Sequence, residues 1–265
     1  KYLVDEVVGY FGAHPAIGAW QIGDGLERVR KPASMDAVAA WYTTMADAVR
    51  ARRSRVSVLG VTSARGIHQF SGPRPEQIAQ ACDMLGISAY PPETPGDARR
   101  HTSWPLFLTT LAMALAERPV LATSLALPTT ADTGGEWRSE RVYGRQRSVF
   151  YGDQEQQATF LEVALERLYQ AGASGAWLAG YADYGPEHWR TPPLDRAPFE
   201  RPTGLVDAQG AEKQSVRAVQ QFAQRIKASE TRPAPHIDGA IDPERYWHNP
   251  AQRFAELWAD FDNEN

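Results

Sequence analysis

The sequence contains one cysteine, no excess of positive charge and no long apolar run, and each shortage excludes a class of protein. Cys82 alone cannot form an internal disulfide framework or a cysteine-rich zinc site, and it leaves the cellular compartment open. A net charge of −4 does not supply the basic field that a general nucleic-acid binder needs. No stretch approaches the roughly 20 consecutive apolar residues of a membrane-spanning helix, so membrane insertion is not expected.

The sequence also lacks the usual motifs for metals and cofactors. Its 6 histidines are dispersed, with no HxxxH or HxH spacing, and no phosphate-binding loop is present. We therefore predict no cofactor and no metal. With 43% hydrophobic residues, 23% charged residues and a mean hydropathy of −0.46, the composition is that of a globular protein able to bury a core.

Five short apolar segments alternate with amphipathic helical segments along the chain: Ile17–Ile22, Val56–Val61, Met84–Ala89, Val120–Thr123 and Gly175–Ala179. They show little polar alternation, which indicates burial on both faces and hence a parallel sheet with helical crossovers. A (β/α)8 TIM barrel closes at eight strands. We therefore expect strands 4 to 8 of such a barrel, with the N-terminal strands missing or supplied elsewhere, and an open doubly wound sheet is the alternative.

The two ends of the chain carry further expectations. Tyr2 to Phe11 is predicted to be a helix already under way at the first residue, so we expect sequence upstream of Lys1. The barrel portion is predicted to span residues 1–228 and to be followed by a proline-rich linker, 229–240. Residues 241–265 form an aromatic amphipathic extension that either packs on the outside of the barrel or docks a protein partner.

Segments at four strand positions together resemble the clan-A, cellulase-like retaining glycoside hydrolases, in the right order and spacing. His14–Gly23 is similar to the approach to the family's fourth strand, and Asp83–Pro91 to its sixth. Arg118–Thr123 is similar to the seventh strand, and Ala171–Leu178 with Glu200–Val206 to the eighth. The resemblance covers roughly residues 1 to 227 and implies a barrel with a sugar site at its carboxyl end.

The family's two catalytic glutamates do not have counterparts in this sequence. The Asn-Glu pair of the fourth strand corresponds to Asp24 and Gly25, and the nucleophile of the seventh strand corresponds to Ser124. Retaining hydrolysis needs two carboxyl groups about 5 Å apart. The resemblance therefore implies a catalytically degenerate barrel that serves as a carbohydrate-binding, protein-interaction or scaffold module. The alternative is an active hydrolase that uses displaced carboxylates, with Asp24, Glu27 and Asp183 as candidates.

Two long connections carry the candidate ligand-binding residues other than Tyr90, which belongs to the segment similar to the sixth strand. Residues 127–152 are too many for a simple strand-to-helix turn, and residues 181–201 form a second long loop. Aromatic faces stack on sugar rings and arginines grip carboxylates, so an anionic oligosaccharide or polysaccharide is the predicted partner. A protein partner at the missing barrel face or at the extension is the alternative. The candidates are Tyr90, Trp137, Arg138, Arg141, Tyr143, Tyr181, Tyr184 and Trp189.

Overall fold

Strands and helices alternate along the chain, as the hydrophobic pattern predicts. A computed structural model describes residues 2–26, 32–52, 56–69, 72–90, 98–229, 233–234 and 241–264. Glu27 and most of the predicted linker lie outside these ranges. The chain divides into two compact units: residues 1–88, 107–122 and 235–265 form the first, and residues 89–106 and 123–234 form the second.

The elements follow one another in this order: α1 (Tyr2–Phe11), β1 (Ala19–Gln21), α2 (Met35–Ala51), β2 (Ser57–Ser63), α3 (Ala64–His68), α4 (Pro75–Ala81), β3 (Met84–Ser88), α5 (Ala98–Ala116), β4 (Val120–Leu125), β5 (Glu136–Val142), β6 (Arg145–Tyr151), α6 (Gln154–Gln170), β7 (Gly175–Leu178), α7 (Gln214–Ala228), α8 (Pro243–His248) and α9 (Pro250–Glu264). Short 3-10 turns lie at Pro186–His188 and Pro198–Glu200. Within these described residues, no helix is both long enough and apolar enough to cross a membrane.

Five of the strands form one sheet in the order β1-β2-β3-β4-β7. Strands β1, β2 and β3 pair in parallel, with Trp20 opposite Val58 and Val61 opposite Gly86. Each strand therefore lies beside the next one in the sequence, which is the order of a TIM barrel rather than of a doubly wound sheet. The prediction of five consecutive β/α units is confirmed.

Helix α2 packs on the sheet of the first unit through one of its faces. Tyr42 is fully buried, and its hydroxyl donates to the carbonyl oxygen of Val61 at 3.1 Å. Val38 and Val49 are buried on the same face, whereas Trp41 is exposed. The hydrogen bond of Tyr42 joins this face of the helix to β2.

The C-terminal extension packs within the first unit. The ring of Phe107 on α5 lies 5.3 Å from that of Phe254 and 5.0 Å from that of Trp258 on α9. On α8, Trp247 is buried under the guanidinium of Arg74, 4.5 Å from the ring centroid. These aromatic side chains of the extension therefore pack against other residues of the same unit.

The connection between β4 and α6, expected to be a loop, contains the antiparallel hairpin β5–β6 in the second unit. Tyr143 and Gly144 form its turn, with φ of 46° and 81°. Two consecutive positive φ values are the mark of a type I′ turn, whose twist matches that of paired strands. The hairpin displays one set of side chains on each of its two faces.

Candidate functional site

The end of β1 carries glycine for backbone reasons. Gly23 and Gly25 have φ of 81° and 60°, in the left-handed region that side chains with a Cβ disfavour. Asp24 between them is exposed, and Gly25 is buried. This strand end in the first unit therefore presents one carboxylate, that of Asp24, in the part that the structure describes.

The end of β4 carries a strained residue. Ser124 has φ of 58°, a conformation that costs a residue other than glycine roughly 1–2 kcal/mol. Hydrogen bonds hold the backbone on either side: Ala89 N–H donates to Thr123 O at 2.8 Å, and Ala179 N–H donates to Leu125 O at 3.1 Å. Strain of this kind persists only where the surroundings impose it, and such residues cluster at functional sites.

Asp183, the candidate displaced carboxylate of the second unit, is held in a buried ion pair. Its Oδ1 lies 2.7 Å from Lys213 Nζ and accepts the backbone N–H of Gly204 at 2.8 Å. The side chain of Lys213 is 3% exposed and that of Asp183 is 14% exposed. Lys213 also donates to Thr129 Oγ1 at 2.9 Å. The carboxylate of Asp183 thus links the side chain of Lys213 to the backbone at Gly204.

Burial dominates the electrostatics of this pair. Desolvation raises the pKa of Asp183, although the hydrogen bond from Lys213 opposes the shift. Desolvation likewise lowers the pKa of Lys213, and the contact with Asp183 acts in the opposite direction. The contact between the two groups thus opposes the effect of burial on both pKa values.

The same region contains a buried amide that the sequence gives no reason to single out. Gln157 on α6 is 1% exposed, and its Nε2 donates to the carbonyl oxygens of Leu127 and Gly204 at 2.9 and 3.3 Å. Its Oε1 accepts from Ser215 Oγ at 2.8 Å. Gln157 and Lys213 therefore anchor the loop that leads from β7 to α7.

That loop presents a fixed aromatic surface. The indole N–H of Trp189 donates to the carbonyl oxygen of Tyr184 at 2.7 Å, and the guanidinium of Arg201 lies 5.0 Å from its ring centroid. Arg201 is itself held by the carbonyl oxygen of Leu194, at 2.8 and 3.0 Å. Trp189 nevertheless remains 40% exposed, and Tyr181 and Tyr184 on the same loop are also exposed. An exposed but immobilised indole can stack on a ligand at little entropic cost.

The outer face of the hairpin carries a second aromatic group. Trp137 and Phe150 are cross-strand partners with ring centroids 5.4 Å apart, and His101 of α5 stacks on Phe150 at 5.0 Å. Arg141 lies exposed on this face, with its Nε 3.3 Å from the carbonyl oxygen of Gly144. Trp137 is thus partly engaged in packing.

Arg138 lies on the inner face of the hairpin, on the side opposite to Trp137 and Arg141. Arg138 forms an ion pair with Glu136, donates to Thr130 Oγ1 at 3.1 Å and lies 4.3 Å from the ring centroid of Tyr151. Tyr151 in turn donates to Glu140 Oε1 at 2.6 Å, and burial raises its pKa. Tyr90 packs against the core cluster of this face, with its ring 4.9 Å from that of Phe199. Arg138 therefore already has an anionic partner within the chain.

The predicted binding residues thus fall into three groups in the second unit: Tyr181, Tyr184 and Trp189 on the last loop, Trp137, Arg141 and the turn residue Tyr143 on the outer side and tip of the hairpin, and Arg138 with Tyr90 on its inner side. Only strand alternation could have separated Trp137 from Arg138 in advance. Across the described ranges, no group of three or more His, Cys, Asp or Glu side chains could hold a metal ion.

Solved structures match this arrangement of strands. A GH5_18 protein of Streptomyces cattleya, in complex with Manβ1-4GlcNAc, matches with a TM-score of 0.69 and 16% identity over 94% of this chain and 59% of that one. The GH5_18 protein of Bifidobacterium longum subsp. longum matches with a TM-score of 0.65 and 19% identity, over 89% of this chain and 54% of that one. The chain has the fold of part of these chains, a partial parallel β/α barrel.

A more distant match is the β-glucuronidase of an uncultured Clostridium species, with a TM-score of 0.58 and 15% identity, over 84% of this chain and 35% of that one. No family model and no curated protein matches the sequence. The chain spans less than two thirds of the length of the structures it matches. At these identities the likeness establishes the fold, and function must be argued from the site.

Proposed function

We propose that this chain is part of a glycoside-hydrolase-like barrel that binds an oligosaccharide without hydrolysing it. The observation that carries the proposal is Ser124 at the end of β4, where the resemblance to clan-A enzymes requires a nucleophilic carboxylate. A neutral hydroxyl without a paired base is a poor nucleophile. Loss of one member of a two-carboxylate mechanism lowers the rate by several orders of magnitude.

The alternative, hydrolysis by displaced carboxylates, has little support from the second unit. Asp183 is committed to Lys213 and to the N–H of Gly204. Asp132, the first acid after Ser124 in the sequence, is exposed and accepts from Thr130 Oγ1 at 3.3 Å. Of the three displaced carboxylates predicted from the sequence, Asp24 is the one that is both described and exposed.

Binding is assigned to the loop that carries Trp189. Sugars present apolar C–H faces that stack on aromatic rings, and Trp189 is held by two independent contacts while it stays exposed. Arg138 pairs with Glu136, which weakens the argument that the ligand must be anionic. We therefore assign the stacking role to Trp189, with Tyr184 and Tyr181 beside it in the sequence.

Calorimetric titration with Manβ1-4GlcNAc, the disaccharide bound by the Streptomyces cattleya protein, tests this assignment. We expect binding that weakens by up to about tenfold in Trp189→Ala, since one aromatic stacking contact contributes about 0.5–1.5 kcal/mol. Trp41→Ala, at an exposed tryptophan of α2, is the matched control and should bind normally. Equal affinity in both variants, or no binding of any tested oligosaccharide, would overturn the proposal.

A further inference from the structure

Positive charge is concentrated on the hairpin β5–β6 of the second unit. Residues 136–147 contain four arginines and two glutamates, although the chain as a whole has a net charge of −4. Both glutamates are engaged on the inner face. Glu136 forms an ion pair with Arg138, and Glu140 accepts from the hydroxyl of Tyr151. These two acids are therefore committed to other partners and do not neutralise the arginines beside the turn.

Two of those arginines, Arg141 and Arg145, flank the turn and are exposed. Arg141 Nε donates to the carbonyl oxygen of Gly144 at 3.3 Å, which folds the guanidinium over the turn. Within the part of the chain that the structure describes, neither arginine forms an ion pair with an acidic side chain. Both guanidinium groups therefore keep charged donors directed to solvent.

A third arginine, Arg196, reaches the same turn from the loop that leads to α7. The N–H of Tyr143 donates to the carbonyl oxygen of Arg196 at 2.8 Å, which holds the two backbones side by side. The side chain of Arg196 is 64% exposed, and its Nε lies 3.7 Å from Asp195 Oδ2. An exposed pair at this distance contributes little, so Arg196 adds to the positive charge at the tip.

Tyr143 places an aromatic ring among these arginines. Its φ is 46° and the residue is 50% exposed. Residues with a Cβ disfavour this conformation, and asparagine or glycine is the usual residue in a turn of this type. The turn thus displays a ring in solvent at a conformational cost, and strain of this kind clusters at functional sites.

The outer face of the hairpin continues from the tip as a strip without aliphatic side chains. Gln146 Nε2 donates to Ser139 Oγ at 2.7 Å across the two strands. Trp137 and Arg141 are four residues apart, so the strip extends about 14 Å between them. Aromatic rings stack on the C–H faces of sugars, hydroxyl and amide groups bind sugar hydroxyls, and arginines bind carboxylates and related oxyanions. The members of the strip are Trp137, Ser139, Arg141, Gln146, Ser148 and Phe150.

We propose that the outer face and tip of the hairpin bind an anionic polysaccharide, whose rings carry carboxylate or sulfate groups. The inference deepens the proposed function, because it adds a sugar class and a set of residues other than Trp189. A protein partner would need an apolar anchor at the centre of its contact, and the strip offers no aliphatic one. A nucleic acid fits poorly, since the net charge of the chain is negative.

Calorimetric titration with an oligogalacturonate tests the inference, and its methyl ester of the same length is the matched neutral probe. We expect the acid to bind about tenfold or more tightly than the ester, and its binding to weaken as salt is added. A sulfated oligosaccharide and its desulfated form make the same comparison for the other anionic group. The proposal requires charge-dependent binding in at least one of the two pairs, and it is overturned if neither pair shows it.

Three variants locate the site on the hairpin. Arg141→Gln should weaken binding of the acidic probe by about tenfold, because a charge-assisted contact is lost. Tyr143→Asn should weaken it by about two- to tenfold through loss of the ring, and asparagine suits the left-handed turn, so the fold is kept. Arg217→Gln, at an exposed arginine of α7, makes the same change in net charge as Arg141→Gln and should leave the affinity unchanged. All three variants should keep the Tm of the unmodified chain closely, because exposed side chains are changed.

Two results with these variants and probes would overturn the proposal. An equal loss in Arg217→Gln and Arg141→Gln would mean that net charge alone attracts the probe. Tighter binding of polyglutamate or of a single-stranded oligonucleotide than of either acidic sugar would mean that the site takes another polymer. Trp189→Ala should bind the acidic probe normally, so the hairpin site and the Trp189 site can each fail independently of the other.

Discussion

Replacement of Lys213 by methionine should destabilise the second unit strongly. Methionine keeps nearly the length and the apolar stem of lysine but removes the ammonium that donates to Asp183 at 2.7 Å and to Thr129 at 2.9 Å. The carboxylate of Asp183, which is 14% exposed, would keep its hydrogen bond from the N–H of Gly204 but lose the one from Lys213. Such a variant leaves an uncompensated charge in the interior.

The magnitude follows from the burial of the pair. Removal of one partner of a buried ion pair costs about 3–5 kcal/mol, whereas an exposed pair contributes about 0–1 kcal/mol. At about 2–4 °C per kcal/mol for a chain of this size, the Tm should fall by roughly 6–20 °C. Addition of Asp183→Leu to Lys213→Met should recover part of the loss, because the second change removes the stranded charge.

Urea denaturation followed by circular dichroism measures this effect. Lys227→Met is the matched control, because Lys227 is an exposed lysine near the end of α7, the helix that begins directly after Lys213. Its loss should change the free energy of unfolding by less than about 0.5 kcal/mol. A loss below about 1 kcal/mol in Lys213→Met would refute the reasoning, since that is the value of a solvated surface pair.

Three further predictions concern single residues. Ser124→Gly should stabilise the fold by about 0.5–1 kcal/mol in chemical denaturation, because relief of the left-handed strain exceeds the added entropy of the unfolded chain; a loss of stability would mean that the serine side chain makes a needed contact. Gln157→Leu should cost about 3 kcal/mol by the same measurement, since it deprives two carbonyl oxygens and a hydroxyl of their partner, and an unchanged midpoint would argue against that network. Burial alone would raise the pKa of Asp83, but the N–H of Val58 and the guanidinium of Arg50 lower it below the ordinary value. The ionised Asp83 therefore stabilises the fold above the unfolded-state pKa of about 3.9, and this stabilisation is lost as the pH falls through the folded-state pKa. Asp83→Asn should flatten the acid limb of the stability profile, and an unaltered limb would contradict this assignment.

The strands of the sheet can be predicted from the sequence because a strand that is buried on both faces consists of a short run of apolar residues. The segments around Val58, Leu85 and Val120 are short apolar runs between helices, and all three form strands of the sheet. The hairpin β5–β6 was missed because its inner face carries Glu136, Arg138 and Glu140 in place of apolar residues. The glycine at Tyr143-Gly144 was the available signal in the sequence.

The candidate site depends on hydrogen bonds between residues that are far apart in the sequence, and no local pattern predicts such contacts. Lys213 and Asp183 are 30 residues apart, and Gln157 reaches Gly204 across 47 residues. Composition alone groups Arg138 with Trp137, and only the pleat of the strand separates them. The helix over Tyr2 to Phe11 was predicted correctly, but the exposure of its apolar residues depends on what lies beside it rather than on the helix itself.

The central claim is that the barrel binds sugar without cleaving it, and the release of sugar from bound substrate tests it most directly. Residues 1–265 should be incubated with Manβ1-4GlcNAc and with aryl β-glycosides across the mildly acidic to neutral range, and the released monosaccharide or phenol should be quantified. We predict no release above that of buffer, because Ser124 and Gly25 supply no carboxyl group. Sustained release that Asp24→Asn or Asp183→Asn abolishes would contradict the account.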